Sequence, residues 1–164
     1  MAFTVQKLLY RWTRCLTLHG EDPDGERTPF TGGTIDPPAR IVLVEDEAIA
    51  ALDVARRLRR LGYQVVAVAS SGPQAIEYAL TRAPDVVLMD IHLQGAMDGV
   101  DAARHIQASA PIPVIYVSAY VDAATRERIQ STEAAGFVPK PIHVPTLHAT
   151  LQRALSGWHS RRPR

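Results

Sequence analysis

The 164-residue sequence predicts an α/β fold, a single domain built on a doubly wound, five-stranded parallel sheet. Three observations lead there. Short apolar runs at 41–45, 65–69, 85–89, 113–118 and 136–139 alternate with stretches of helical period. The runs are almost continuously apolar, the pattern of strands buried on both faces rather than on one. Parallel strands joined by right-handed crossovers then place helices on either side of the sheet.

The elements follow in order. IVLVE (41–45) is the first strand, and the helix after it reaches about Leu61, with Ile49, Leu52, Ala55 and Leu58 predicted as one apolar stripe. Gly62 stops that helix, and VVAVA (65–69) is the second strand. Gly72-Pro73 opens the next helix, since proline at the first helical position sacrifices no hydrogen bond. Strand DVVLM (85–89), a helix from about Asp98 to Ala108 and strand PVIYVS (113–118) come next. A helix from Asp122 to about Thr132, a short strand GFVP (136–139) and a helix from about Pro145 to Leu155 complete the run. The domain is thus bounded at 39–157, with a frayed basic tail at 158–164.

Residues 1–38 read as an N-terminal extension. Val5, Leu8, Leu9, Trp12 and Leu16 fall on one face of a short amphipathic helix over 3–18, opposite Lys7, Arg11 and Arg14. Residues 20–38, rich in Pro, Gly and acidic groups, form a linker without a core.

Composition excludes several function classes. A formal net charge of +1 gives no basic bias toward nucleic acid, and nothing like a helix-turn-helix follows the domain. One cysteine, Cys15, allows no internal disulfide and fits a reducing compartment. With no apolar run long enough to span a bilayer and no secretory leader, the expectation is a cytoplasmic protein without membrane contact.

The chemistry lies where the strands end, since open parallel sheets bind ligands beyond the carboxyl ends of their strands. Strand one ends in Glu45-Asp46-Glu47, strand three in Asp90, strand four in Ser118, and strand five runs into Lys140. Carboxylates gathered at one edge repel and need a cation. Hard oxygen ligands with room for water and phosphate suit Mg²⁺. A carboxylate that attacks a phosphoryl group gives an aspartyl phosphate, and Mg²⁺, Lys140 and Ser118 would each neutralise one equatorial oxygen.

VLVEDE (42–47), VVLMDIHLQGAMDG (86–99), VIYVSAY (114–120) and FVPKP (137–141) together resemble the receiver domain of two-component response regulators, over residues 40–157. The resemblance implies a flavodoxin-like sheet of strand order 2-1-3-4-5. It makes Asp90 the phosphoacceptor and places Mg²⁺ on Glu45, Asp46, Asp90 and the backbone carbonyl of His92. Ser118 is then the hydroxyl switch residue, Phe137 the aromatic switch and Lys140 the phosphate-contacting lysine, with a cis Lys140–Pro141 bond. The sequence departs from the common pattern in having Glu at 45, Phe rather than Tyr at 137, and a loop one residue longer at 94–99.

The implied function is a phosphoacceptor module that receives a phosphoryl group from a sensor histidine kinase or histidine phosphotransfer protein. It would act by switching a protein–protein interaction, including a homodimer through the 122–155 face, with only self-catalysed phosphotransfer and dephosphorylation. Passing the phosphoryl group onward to a histidine phosphotransfer protein is the alternative. A haloacid-dehalogenase-type phosphatase would need D-x-D after strand one, where Glu45-Asp46-Glu47 stands, and a dinucleotide site would need G-x-G-x-x-G. His92, His105, His143 and His148 lack metal-ligand spacing and read as solvated side chains, as does the cluster Arg56, Arg57, Arg59 and Arg60.

Overall fold

A computed structural model describes residues 38–161 of the chain. The proposed helix over 3–18, most of the 20–38 linker and the end of the basic tail lie outside the described residues. Five strands and five helices alternate: β1 (Arg40–Val44), α1 (Ala48–Arg60), β2 (Gln64–Ala69), α2 (Gly72–Thr81), β3 (Val86–Asp90), α3 (Gly99–Ser109), β4 (Val114–Ser118), α4 (Ala123–Gln130), β5 (Ala134–Pro139) and α5 (Val144–Arg161). All neighbouring strands are parallel, in the order β2-β1-β3-β4-β5. The last helix runs to Arg161, beyond the frayed end that the sequence suggested.

The continuous apolar strands are explained by the two cores they serve. Ile41, Leu43, Val86, Leu88, Ile115 and Val117 face Val54, Leu58, Leu147 and Leu151 of α1 and α5. Their chain neighbours Val42, Val44, Val87, Met89, Val114 and Tyr116 face the other way, toward Ala75, Ala79, Val100 and Ile106 of α2 and α3. Side chains alternate between faces along each strand, so a strand apolar at every position fills both cores at once.

One predicted stripe is corrected. Helix α1 buries Ala51, Val54, Ala55 and Leu58, whereas Ile49 is 80% and Leu52 52% exposed. At about 100° per residue, Ala51, Val54, Ala55 and Leu58 cluster on one side, and Ile49 points nearly opposite. Ala55 and Leu58 of the predicted stripe lie in the core, and Ala51 and Val54 take the places expected for Ile49 and Leu52.

Helix α4 is held differently from the rest. It buries no residue. Only Ile129 packs partly against the core, and polar contacts to α3 add to it: Arg128 donates to Asp98 at 2.7 and 2.9 Å and to Asp101 at 2.9 Å. Arg104 reaches Ser131 at 2.6 Å, and Gln107 bonds the backbone of Glu133. Asp98 also caps α3, accepting from the amides of Val100 and Asp101 at 3.0 Å. Burial opposes ionisation of Asp98, but the Arg128 guanidinium and these amides outweigh it and hold the carboxyl below its ordinary value. That contribution to stability is present above the unfolded value and is lost as pH falls through the lowered one. Arg128→Ala is expected to cost about 1–2 kcal/mol, a figure reduced because both partners are about one-third exposed. Urea denaturation at low and at 1 M salt checks this, and the difference should shrink in salt and at acidic pH.

Candidate functional site

The strand order creates the site. The chain leaves β1 toward β2 on one side, while β3 pairs on the other, so a crevice opens between the carboxyl ends of β1 and β3. Val44 pairs with Met89, which brings Glu45 beside Asp90. Asp90 pairs with Val117, and Ser118 with Pro139, so Ser118 and Lys140 arrive at the same edge. The Lys140 amide donates to the Ser118 carbonyl at 2.9 Å, tying the two strand ends together. The Lys140–Pro141 bond is cis.

Lys140 is the centre of the cluster. Its Nζ donates to Asp90 Oδ2 at 2.6 Å and to Glu45 Oε2 at 2.7 Å, and both carboxylates are buried. Burial alone would lower the lysine's pKa, but the bonds to Asp90 and Glu45 win and raise it, so the ammonium is retained. Burial raises the pKa of Glu45, and the nearby Asp90 charge adds to this, against the bond from Lys140. Asp90 accepts from the His92 amide through Oδ1 at 3.0 Å, and Asp46 from the Gln94 amide at 3.2 Å.

Glu45, Asp46 and Asp90 each offer a carboxylate oxygen within 4.8 Å of the other two, and among the described residues they are the one such acidic group. Three hard carboxylate oxygens gathered this closely are the donor type that magnesium prefers. Three carboxylates against one ammonium leave two negative charges, the charge a divalent cation would neutralise. The donor set fits such an ion.

Ser118 is 1% exposed and donates to the Tyr120 carbonyl at 2.9 Å. Phe137, at 43% exposed, is turned outward on the edge strand β5. The structure therefore brings Glu45, Asp46, Asp90, His92, Ser118 and Lys140 to one edge, with Phe137 farther along. His92 is exposed as expected yet also makes a side-chain contact, and His148 is half-buried rather than solvated. His92 Nδ1 lies 3.2 Å from Ser118 Oγ, and half-buried His148 is 3.1 Å from the Tyr63 hydroxyl. His105 and His143 are exposed as expected, while Arg57 bonds Asp53 and the Ile142 carbonyl. Sequence spacing carried no signal for these pairs, which are 26 or more residues apart except for Arg57–Asp53.

Residues 41–152 match the family described as response regulator receiver domain. The chain is 33% identical over 133 residues to the transcriptional regulatory protein PdtaR of Mycobacterium tuberculosis, covering 79% of this chain and 64% of that protein. It is 30% identical over 131 residues to the phyllosphere-induced regulator PhyR of Methylorubrum extorquens, covering 79% and 48%. It thus spans less than two thirds of the length of these relatives. Among solved structures, the signal receiver domain of a modulated diguanylate cyclase from Desulfovibrio desulfuricans superposes with a TM-score of 0.73 at 31% identity, covering 76% of this chain and 99% of that one. The receiver domain of a sensor histidine kinase from Pseudomonas aeruginosa, solved with magnesium in its active site cleft, gives 0.66 at 30%, covering 73% and 98%. By sequence, by strand order and by the acidic edge those strands build, the chain belongs to the response regulator receiver domain family.

Proposed function

We propose that Asp90 accepts a phosphoryl group from a sensor histidine kinase or a histidine phosphotransfer protein, and that the resulting change at Ser118 and Phe137 alters a protein–protein contact. The observation that carries this reading is the Lys140 ammonium shared between Asp90 Oδ2 and Glu45 Oε2, beside the Asp46 carboxylate. Asp90 Oδ2 is the nucleophile. Its lone pair attacks phosphorus as the bond from phosphorus to the donor breaks, and the electron pair leaves with the donor. Lys140 meets one equatorial oxygen as charge spreads over the group, and Ser118 meets another after releasing the Tyr120 carbonyl.

Glu45, Asp46, Asp90 and the His92 carbonyl would hold Mg²⁺, which when bound supplies positive charge to the transferring phosphoryl group. Asp46→Asn is expected to weaken Mg²⁺ binding roughly 10- to 100-fold and to slow phosphorylation by acetyl phosphate in parallel. That range follows one lost charged ligand contact. Magnesium titration checks the first and intact mass the second. A mutant with wild-type magnesium affinity would remove Asp46 from the ligand set.

The partner assignment has its own support. Exposed Ile49 and Leu52 stand on α1 beside the acidic edge, where an open groove of about 310 Å³ runs past Asp46, Leu52 and Val68. An apolar surface that reaches Glu45 and Asp46 suits a protein donor that must bring its phosphoryl group to the acidic edge. No helix among the described residues is long and apolar enough to cross a membrane. Residues 1–38 are proposed to be dispensable for the chemistry, since every site residue lies beyond Arg40.

A further inference from the structure

His92 touches both chemical groups of the site. Its backbone N–H donates to Asp90 Oδ1 at 3.0 Å, and its ring Nδ1 lies 3.2 Å from Ser118 Oγ. Ser118 has a single hydroxyl proton. Its oxygen has three polar contacts, to the Tyr120 carbonyl at 2.9 Å, to His92 Nδ1 at 3.2 Å and from the Tyr120 amide at 3.4 Å, and the shortest is to the carbonyl, which can only accept. That proton therefore points at Tyr120, and Ser118 Oγ is left with lone pairs facing the imidazole. The network assigns the donor role to His92 Nδ1–H.

Building on the phosphoacceptor reading, we propose that the His92 side chain is a positioning residue. It donates to Ser118 Oγ, fixes the rotation of that hydroxyl and keeps it on the Tyr120 carbonyl in the resting state. Ser118 is almost fully buried, so its hydroxyl cannot exchange freely with water and goes where its neighbours direct it. With the ring in place, turning the hydroxyl to a phosphoryl oxygen on Asp90 means losing the Tyr120 contact and rearranging the His92 contact together. Without the ring, only the contacts with the Tyr120 backbone must be given up. His92 itself is exposed at the mouth of the site, so water shares its ring and the effect is that of one partly solvated hydrogen bond. Its removal therefore shifts the resting equilibrium toward the Asp90-facing hydroxyl by roughly 2- to 10-fold.

The test titrates the full chain with beryllofluoride at saturating Mg²⁺, reading the amide shifts of Ser118 and Tyr120. Wild type, His92→Phe, His92→Asn, Ser118→Ala and the double variant His92→Phe/Ser118→Ala are compared. Phenylalanine keeps a ring but has no donor, whereas the asparagine amide nitrogen takes the place of Nδ1. Binding should tighten roughly 2- to 10-fold in His92→Phe, return to near wild type in His92→Asn, and be indifferent to His92→Phe once Ser118 is alanine. A His92→Phe variant with unchanged or weaker binding overturns the proposal, as does an effect that survives in the Ser118→Ala background. Wild-type protein that binds no beryllofluoride would sink the phosphoacceptor reading itself, a result separate from either of these.

Discussion

Asp90→Asn is expected to abolish phosphoryl uptake while leaving the domain folded. An amide nitrogen carries no available lone pair, and an amide oxygen is a far poorer nucleophile than a carboxylate, so the covalent step has no substitute. The shape is conserved: asparagine oxygen can still accept from Lys140 and its neighbours remain packed at the buried strand end. One negative charge also leaves an edge where three carboxylates share one lysine. Stability at neutral pH should therefore be unchanged or higher by up to about 1 kcal/mol. Incubation with acetyl phosphate and Mg²⁺, followed by intact mass, should show one added phosphoryl group in wild type and none in the variant. The wild-type adduct should be labile to hydroxylamine, as an acyl phosphate is. Equal uptake by the variant would move the acceptor to another side chain and dismantle the proposed site.

What the sequence displayed and what it hid divide along a physical line. Strands such as VVLM at 86–89 are buried on both faces, so their environment is uniform and the residues announce it. The acidic edge was legible for a similar reason. Residues directly after a strand must emerge at its carboxyl end, so Glu45, Asp46, Asp90 and Lys140 were placed together once the sheet was placed. Side-chain partners across the sheet edge had no such marker. Arg128 on Asp98, His92 on Ser118 and Tyr63 on His148 join positions 30, 26 and 85 residues apart, and nothing local distinguishes these polar residues from solvated ones. Helix α1 misled for a different reason. Its apolar residues outnumber the core positions available, so Ile49 and Leu52 are left over on the outer face.

Gly99→Ala is expected to have the largest effect on stability of any single-methyl change near the site. A Cβ on Gly99 would lie 1.9 Å from the Asp90 carbonyl oxygen, 2.9 Å from its carbon and 3.0 Å from Ile91 Cα. All three are backbone atoms of the strand end, so no side-chain rotation relieves the clash. The constraint is space rather than conformation, since the left-handed glycines of the described residues are Gly62 and Gly95. Helix α3 cannot simply retreat either. Its first amide donates to the Ile91 carbonyl at 2.9 Å, and Asp98 immediately before it is held by Arg128 and by two capping bonds. Overpacking against a fixed backbone of this kind costs about 3 kcal/mol or more, a large share of a domain's ~5–15 kcal/mol. Any folded fraction must push the Asp90 backbone outward, and a displacement of about 1 Å is enough to lower a positioned reaction roughly 100-fold. Gly95→Ala is the control, because its Cβ meets nothing within 4 Å and its φ of +113° costs only local strain, about 1–3 kcal/mol. Urea denaturation should rank Gly99→Ala below Gly95→Ala. Acetyl phosphate should still modify the Gly95 variant at near the wild-type rate but barely modify the Gly99 one. A Gly99→Ala protein as stable and as reactive as wild type would mean that α3 does not start against the Asp90 backbone, and the geometry of the phosphoacceptor would have to be redrawn.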